Sequence, residues 1–253
     1  MPSITNLGAE FPNLAISTQV GDLKVWDYQG DSWLIFFSHP KDYTPGARAG
    51  AARALLSLTC MAHPPLLPPH ACPPSLPPLV CTTELGQAAI QEAEFTKRNV
   101  KLIALSCDSV EDHKGWIADI QAANGGVVTY PIISDPNRDT AVLLGMLDED
   151  EKDAAGIPAT VRKVFVVGPD HKIKLQLIYP TAVGRNFAEI FRVIDALQLA
   201  ARFPIATPVN WVPGGQVMIQ PTVSDEKAQE LFPGFSRTAV PSGKGYIRFT
   251  ANP

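Results

Sequence analysis

The chain has 253 residues, of which 45% are hydrophobic and 18% charged, so it can bury one substantial core with room for a small second unit. Its formal charge of −4 and pI near 5.7 provide no basic surface, which disfavours binding to nucleic acids or anionic membranes. No apolar run reaches membrane-spanning length, and the N-terminus shows no targeting pattern. We therefore expect a cytoplasmic protein.

Strand and helix patterns alternate along the chain outside residues 46–79. Short apolar runs bounded by turn residues predict strands, and longer polar/apolar stretches predict helices. The predicted strands cover residues 33–38, 100–106, 130–134, 163–167 and 173–178. The predicted helices cover residues 83–98, 110–123, 140–147 and 186–201. The last two strands flank a Gly-Pro-Asp turn and predict a β-hairpin, so the order as a whole predicts a mixed α/β sheet flanked by helices.

The composition of the sequence changes after the last predicted helix. From Pro204 onward the chain consists of short segments punctuated by proline and glycine, such as ATPVNWVPGGQ. We therefore expect two parts. Residues 1–201 form the α/β domain, and residues 202–253 form a small appended unit or an arm that binds a partner.

Residues 46–79 differ from the rest of the chain in composition. They contain no Asp, Glu or Lys, and thirteen of the sixteen residues from Pro64 to Leu79 are Pro, Leu or Ser. We expect this segment to be irregular or disordered. A functional loop, a tolerated insertion and a translated intron are the three alternatives. Because the codons of Pro, Leu and Ser are pyrimidine-rich, as is the tract before a 3′ splice site, the composition favours a translated intron.

Removing residues 46–79 joins Thr44-Pro45 to Val80-Cys81 and produces the start of a helix. Thr44 is a favourable N-cap, Pro45 suits the first helical position, and Cys81 becomes the third helical residue. A thiol at this position faces unpaired backbone N–H groups and the positive end of the helix dipole, which both favour the thiolate. An isolated cysteine is more often a buried structural residue, but this position indicates a nucleophile.

With the segment removed, HPKDYTP followed by VCTTELG resembles the active-site signature of the peroxiredoxins, Pro-x-x-x-Thr-x-x-Cys, and specifically of their 1-Cys subfamily. The resemblance continues through KRNVKLIALSCDSVEDHKGW, YPIISDPNR, VFVVGPDHKIKLQLIYP and ATPVNW, so it covers essentially all of the chain outside residues 46–79. It implies a thioredoxin-like fold with a C-terminal extension used in homodimerisation. The implied enzyme reduces hydrogen peroxide and organic hydroperoxides through a cysteine sulfenic acid, at the expense of a thiol and without a cofactor.

The resemblance also implies roles for individual residues. Cys81 resembles the cysteine whose thiolate attacks the peroxide, and Thr44 the threonine that bonds both thiolate and peroxide. Arg162 resembles the arginine that lowers the pKa of the thiol and holds the peroxide, tasks that suit a fixed guanidinium. Pro40 resembles the proline that shields the site.

The sequence leaves the roles of five other residues open. His39 resembles the histidine beside the family proline and Arg138 a second arginine near the 1-Cys pocket; the alternatives are a structural histidine and a solvated surface arginine. Cys107 follows a predicted strand, and we expect it to be structural. Cys60 and Cys72 lie within residues 46–79. The subfamily has no resolving cysteine, so we expect external thiols such as glutathione or thioredoxin to complete the cycle.

Three other activities compete with the thiol peroxidase hypothesis. The first is a peroxiredoxin-like dimer that acts as a holdase or interaction protein, because residues 46–79 split the active-site motif. The second is a disulfide oxidoreductase, but the chain lacks the CxxC that this chemistry needs. The third is the phospholipase activity that some relatives assign to a serine in Gly-Asp-Ser-Trp-Gly. Ser32 is present, but Leu34 replaces the following glycine and Trp26 stands in place of the histidine, so no base is evident and we do not expect this activity.

Overall fold

The computed structural model describes residues 5–43, 79–152, 156 and 158–253, with Leu79 as backbone only. The predicted irregular segment therefore lies outside the described residues except for Leu79, and so do Thr44, Cys60 and Cys72. The chain divides into two compact units, Met1–Arg185 and Asn186–Pro253. The division expected from the sequence falls after residue 201, and those domain limits stay a prediction.

The first unit contains the predicted strands and the predicted helices except the last one, over residues 186–201, which lies in the second unit; it also contains several short elements that the sequence did not predict. Its strands are β1 (Ala15–Thr18), β2 (Gly21–Lys24), β3 (Trp33–Ser38), β4 (Val100–Ser106), β5 (Ile132–Ser134), β6 (Leu147–Lys152), β7 (Pro158–Thr160), β8 (Arg162–Val167) and β9 (Ile173–Tyr179). Its helices are α1 (Val25–Gln29), α2 (Leu79–Ile90), α3 (Glu92–Lys97), α4 (Val110–Asn124) and α5 (Asp139–Leu143).

Seven of these strands form one mixed sheet in the order β2-β1-β5-β4-β3-β8-β9. The central strands β3, β4 and β5 run parallel, whereas β8 and β9 on one side and β1 and β2 on the other pair in antiparallel fashion. Strands β6 and β7 form a separate two-stranded sheet. The predicted thioredoxin-like α/β fold, a mixed sheet flanked by helices, is confirmed.

The central strands are continuous apolar runs because both faces of the sheet are covered. Every residue of β8 is buried, and so is every residue of β3 after Trp33. Phe11 packs against Phe36 and Phe165, with ring centroids 5.1 and 5.4 Å apart. These tilted and edge-on aromatic pairs stabilise the main core beyond the burial of their surface.

The predicted bounds of β3 and β4 are confirmed, but two helix predictions were wrong in detail. The stretch predicted as one helix over residues 83–98 starts earlier, at Leu79, and is two helices separated at Gln91, whose ψ of 9° leaves the helical range. The helix predicted over residues 140–147 ends at Leu143. Gly145 adopts a φ of 58° just beyond it, and this left-handed conformation terminates the helix.

One strand prediction also differs at its start. Residues 130–134 were predicted as a strand, but β5 begins at Ile132. Pro131 has no N–H to donate to a ladder and contributes only its carbonyl, which accepts from the N–H of Ala104 at 2.9 Å. The predicted hairpin is confirmed in β8 and β9. Strand β8 starts one residue earlier than predicted, at Arg162, and β9 ends one residue later, at Tyr179.

The second unit has its own sheet and its own core. It consists of α6 (Phe187–Arg202), β10 (Ile205–Ala206), β11 (Val217–Ile219), α7 (Asp225–Leu231), β12 (Ser236–Arg237) and β13 (Arg248–Thr250). The strands pair in the order β10-β11-β13-β12, and Trp211, Val217 and Phe232 are among the residues buried in the core. Across both units, no helix in the described residues is long and apolar enough to cross a membrane.

Candidate active site

Cys81 is the third residue of α2, the helical position that the joined sequence predicts, with Leu79 at the place predicted for Pro45. The side chain is 1% exposed. Two donors point at its sulfur: Nη1 of Arg162 at 3.2 Å and the backbone N–H of Lys41. A buried sulfur with two such donors has the surroundings that stabilise a thiolate once it forms.

Arg162 is the first residue of β8, and its guanidinium is fixed by three different acceptors. Nε and Nη2 donate to the carbonyl of Thr181 at 2.9 and 2.7 Å. Nη1 donates to the sulfur of Cys81 and, at 2.8 Å, to Oε2 of Glu84. The planar fork of donors therefore holds one N–H on the sulfur, an arrangement that a lysine could not reproduce.

Glu84 joins this group although the sequence analysis did not single it out. It follows Cys81 by three residues and so lies on the same face of α2. Its Oε2 accepts from Nη1 of Arg162 and from Nη1 of Arg185, both at 2.8 Å, and its Oε1 accepts the backbone N–H of Arg185 at 2.7 Å. Gly184 permits this approach, because a Cβ there would lie 3.3 Å from Val80.

Arg185 was likewise missed by the sequence analysis. Its side chain is fully buried and lies over the ring of Phe37, with the guanidinium carbon 5.1 Å from the centroid. The sequence signals for Glu84 and Arg185 were an i+3 spacing from Cys81 and a charged residue after a glycine. Many exposed residues share both signals, and only the structure shows that these two are buried.

Charge balance and burial act in opposite directions on Cys81. Two buried guanidiniums and one carboxylate carry a net positive charge, so the group is balanced when Cys81 is a thiolate. Burial nevertheless raises the pKa of the Cys81 thiol above its ordinary value, and the guanidinium of Arg162 and the Lys41 amide offset this only in part. The described residues, which do not include Thr44, therefore do not show the lowered pKa expected from the helix start, and that expectation stays a prediction.

His39 and Pro40 lie in the loop that follows β3, directly before Lys41. The backbone of His39 is fixed at both polar groups: its N–H donates to Leu105 at 2.9 Å, and its carbonyl accepts from the hydroxyl of Thr160 at 2.6 Å. Its ring is fully buried, and Nδ1 has no hydrogen-bond partner among the described residues. Pro40 is half-buried beside it. The structure thus brings both residues into the loop whose Lys41 amide contacts Cys81.

The other nitrogen of His39 belongs to a cluster around Asp42. Nε2 donates to Oδ1 of Asp42 at 2.7 Å, and Asp42 also contacts His113 and Asp108. His39, Asp42 and Asp108 place ligand-type atoms within 4.8 Å of one another. These atoms are hydrogen-bonded to one another and to neighbouring groups, so we treat the group as a hydrogen-bond cluster and not as a metal site.

Arg138 and Cys107 lie together near the start of α5. Arg138 donates from Nε to the carbonyl of Pro158 at 3.1 Å and from Nη1 to that of Pro136 at 3.3 Å. Cys107 packs against the main core, and its burial raises the pKa of the thiol to about 11, an effect that the charge of Arg138 offsets in part. Such a thiol stays protonated at neutral pH, in keeping with its expected structural role.

Ser32 is buried, and its hydroxyl is engaged in a hydrogen bond. Its hydroxyl donates to Oδ1 of Asn99 at 2.8 Å. Trp26 stacks on the ring of His171, with centroids 4.4 Å apart. Asn99 is an acceptor and not a base, so these contacts do not activate the hydroxyl, and they agree with the expectation that Ser32 is not a nucleophile.

Comparisons with known proteins connect this site to a family. Residues 77–176 match the AhpC/TSA family, and residues 196–234 match the C-terminal domain of 1-Cys peroxiredoxin. Peroxiredoxin-6 of Rattus norvegicus is 48% identical over 258 aligned positions, which cover 100% of both chains. The human peroxiredoxin-6 is 47% identical over the same extent.

Solved structures agree with the sequence relatives. A cysteine-to-serine mutant of peroxiredoxin 6 from Arenicola marina superposes with a TM-score of 0.82 at 46% identity, covering 98% of each chain. A yeast mitochondrial 1-Cys peroxiredoxin superposes with a TM-score of 0.77 at 38% identity, covering 97% of this chain and 99% of that one. A buried, arginine-paired cysteine at the start of a helix, in a thioredoxin-like fold with these relatives, shows that the chain belongs to the 1-Cys peroxiredoxins and is a thiol-dependent peroxidase.

Proposed function

We propose that Cys81 is the residue that attacks the peroxide and that Arg162 is its charged partner. The observation that carries this proposal is the 3.2 Å contact between Nη1 of Arg162 and the sulfur of Cys81. The same guanidinium can stabilise the negative charge that develops on the departing oxygen. We assign Thr44, Pro40, His39 and Arg138 to binding of thiolate and peroxide on the family resemblance, with Pro40 and His39 supported by their place in the Lys41 loop.

The reaction proceeds in balanced steps. The thiolate of Cys81 attacks one peroxide oxygen, the S–O bond forms as the O–O bond breaks, and the departing alkoxide or hydroxide takes up a proton. The product is a cysteine sulfenic acid. One external thiol condenses with it to a mixed disulfide and releases water. A second thiol then displaces Cys81 and leaves as the oxidised disulfide.

The reductant, the assembly and the location of the protein are the finer parts of this proposal. Glutathione or thioredoxin is the proposed thiol, and the yeast relative supports this because its structure is described as the basis of thiol resolution via glutathione/thioredoxin systems. A homodimer is supported by the match of residues 196–234 to the 1-Cys C-terminal domain. Sedimentation velocity tests the dimer, and cell fractionation tests the cytoplasmic location expected from the sequence.

The experiment that tests the catalytic assignment is stopped-flow oxidation of the full-length protein by hydrogen peroxide. Cys81→Ser should abolish peroxide reduction. Arg162→Lys should slow it roughly 10- to 100-fold, because a lysine cannot hold the sulfur, Glu84 and the Thr181 carbonyl at once. Arg192→Lys is the control, since Arg192 forms an ion pair with Glu189 in which both side chains are about one-third exposed, and it should leave the rate unchanged.

Two results would contradict the assignment. Full peroxide reduction by Cys81→Ser would place the reaction on another cysteine. Equal rates for Arg162→Lys and Arg192→Lys would show that the contact with the sulfur does not assist the reaction. Peroxidase chemistry is favoured over the holdase alternative, because the relatives match along the full chain and a buried guanidinium donates to the thiol sulfur.

A further inference from the structure

A buried hydrogen-bond cluster joins the loop after β3 to helix α4. Asp42 is 1% exposed, and its two carboxylate oxygens accept from two different histidines, both fully buried. His39 donates from Nε2 to Oδ1 at 2.7 Å, and His113 of α4 donates from Nδ1 to Oδ2. The backbone N–H of Asp42 donates to Oδ2 of Asp108 at 2.7 Å. Asp42 is therefore fixed from three sides.

The partners of His113 determine where its protons are. Its Nε2 faces the carbonyl of Ile133 at 3.1 Å, and a carbonyl only accepts, so Nε2 carries a hydrogen. Its Nδ1 faces the carboxylate of Asp42 and carries one too, which makes the ring an imidazolium. Burial lowers the pKa of His113, but the hydrogen bond and charge of Asp42 outweigh burial, so the pKa lies above its ordinary value.

The contact with Asp42 also orients the ring of His39. Nε2 carries the hydrogen that is donated to Oδ1 of Asp42. Nδ1 is buried and has no hydrogen-bond partner among the described residues, so we take it as the nitrogen with the lone pair. A neutral lone pair costs less to leave unpaired than the N–H of a buried cation.

Asp108, Ser106 and Trp116 also face the cluster. Asp108 lies on the far side of Asp42 and accepts from the hydroxyl of Ser106 at 2.8 Å. Burial and the charge of Asp42 raise the pKa of Asp108. The ring of Trp116 packs on His39 at 5.2 Å and brings no charge. Among the described residues, His113 is thus the cation that balances Asp42.

The loop that Asp42 fixes carries a group that acts on Cys81. Lys41 directly precedes Asp42, and its backbone N–H donates to the sulfur. Tyr43 follows Asp42 and packs so closely on α4 that a Cβ at Gly115 would lie 2.2 Å from its hydroxyl. A shift of Asp42 relative to α4 would therefore move the Lys41 amide away from the sulfur.

We propose that Asp42 and His113 are positioning residues of the peroxidase reaction, which hold the Lys41 amide on the sulfur of Cys81 and keep Nδ1 of His39 as a hydrogen-bond acceptor. This proposal rests on the role of Cys81 given above. Neither residue contacts the sulfur, so their effect passes through Lys41 and His39.

The test uses full-length protein and follows Cys81 alone. Alkylation of the Cys81 peptide by iodoacetamide is measured by mass spectrometry across a pH series and gives the pKa of the thiol. Stopped-flow oxidation by hydrogen peroxide gives the rate. The variants are His113→Asn, which removes the charge and the donor to Ile133, and Asp42→Asn, which is close to isosteric. Ser109→Ala is the control, because it removes the N-cap bond to Asp112 on the same helix without touching Asp42.

We expect His113→Asn to raise the pKa of Cys81 and to slow its oxidation at least about tenfold at pH 7, because the Lys41 donor is displaced. In Asp42→Asn the side chain loses its charge, and the amide can accept from only one of the two histidines while it donates to the other, so the charged contact with His113 that holds the loop on α4 is lost. Oxidation should then be slow at every pH. Ser109→Ala should change neither measurement.

Two outcomes overturn the proposal. One is that the pH profiles of both variants superpose on the wild type, and the other is that Ser109→Ala shifts the profile as much as His113→Asn. Circular dichroism identifies folded variants, and Asp42→Asn tests the same contacts where His113→Asn does not fold. Failure of the Cys81 assignment is seen separately, as retained peroxide reduction in Cys81→Ser.

Discussion

Glu84 links two buried arginines to each other and to the reactive sulfur. It accepts three hydrogen bonds while only 4% exposed. Such a group is strongly coupled, because removing one charge leaves the others buried and unmatched. The negative charge of Glu84 also opposes formation of a second negative charge on Cys81. Stability and thiol reactivity therefore place opposite demands on this residue.

Glu84→Gln should separate these two effects. The substitution removes the charge that opposes the thiolate, so the pKa of Cys81 should fall. It also leaves two guanidiniums without a counter-charge, which should cost about 3 kcal/mol of stability. A loss of that size corresponds to a fall in Tm of about 6 °C or more. Alkylation of Cys81 against pH and a thermal melt measure the two quantities.

Glu189→Gln provides the matched control for this prediction. Glu189 pairs with Arg192 in the second unit, where both side chains are about one-third exposed. Ion pairs this accessible contribute roughly 0–1 kcal/mol, so the variant should melt close to the wild type. A Glu84→Gln protein with unchanged Tm would show that the buried group is not coupled as its geometry indicates.

At the scale of elements, helix α4 holds the active-site loop by one charged contact and ends by local sequence rules. Ser109 and Asp112 form a capping box at its start, and Gly125 adopts the left-handed conformation at its end. Both features were readable from the sequence. The contact of His113 with Asp42 joins residues 71 positions apart, and nothing local indicates it.

This contact should make the stability of the first unit depend on pH in a defined direction. Burial raises the pKa of Asp42, but the hydrogen bonds from His113 and His39, together with the charge of His113, outweigh burial and lower it below the ordinary 3.8. The stabilisation of the fold by Asp42 is therefore fully present above pH 3.8, and it is lost as the pH falls through the pKa of Asp42 in the folded protein. The pKa of His113 is raised above the ordinary 6.5, so its stabilisation of the fold is fully present below pH 6.5. That stabilisation is lost as the pH rises through the pKa of His113 in the folded protein.

The pair should therefore stabilise the fold most between about pH 4 and 6.5. We expect the difference in Tm between wild type and His113→Asn to be largest in that window and to shrink at alkaline pH. Ser109→Ala should lower the stability by about 1 kcal/mol at all these pH values. A His113→Asn difference that is the same at pH 6 and pH 9.5 would contradict the charged pair.

At the scale of the whole molecule, residues 46–79 separate the two halves of one catalytic motif. Thr44 and Cys81 belong to a single helical turn in the joined sequence, but here the chain between them is long. A long loop adds little to the free energy of folding, so the fold tolerates it. The role proposed for Thr44 needs its hydroxyl within one helical turn of Cys81, and local geometry no longer imposes that.

Deletion of residues 46–79 should raise the rate of Cys81 oxidation on the order of a hundredfold, because a displacement of about 1 Å at a reacting group costs that much. Pro45 then takes the helical position that Leu79 occupies. The control replaces residues 46–79 by a Gly/Ser run of equal length and should stay as slow as the full chain. Equal peroxide turnover by the full chain and the deletion variant in the stopped-flow assay would refute the prediction.

The translated-intron hypothesis has its own test. Peptide mapping of the protein from its natural source should recover no peptides from residues 46–79 if the segment comes from an intron. Recovery of these peptides at the same abundance as the rest of the chain would show that the segment is part of the mature protein.

Local patterns determined most of the first unit. The apolar runs of β3, β4 and β8 lie close to their predicted bounds, because a strand buried on both faces needs an unbroken apolar sequence. The hairpin β1–β2 was missed, since its strands are only four residues each, β1 alternates between exposed and buried residues, and β2 has no buried residue. The short strands of the second unit were missed for the same reason. Short strands give too weak a periodic signal to separate from a loop.

The sequence by itself determined the family and led us to propose Cys81 and Arg162 as the reactive cysteine and its arginine, because the family motifs are present on both sides of residues 46–79. Only the tertiary structure decided the partners of these residues. Glu84 meets Arg185 across 101 positions, and Asp42 meets His113 across 71. Whether such a charge is buried and matched, and hence whether it shifts the pKa of a neighbouring group, depends on which distant segments pack together, and no local pattern encodes that.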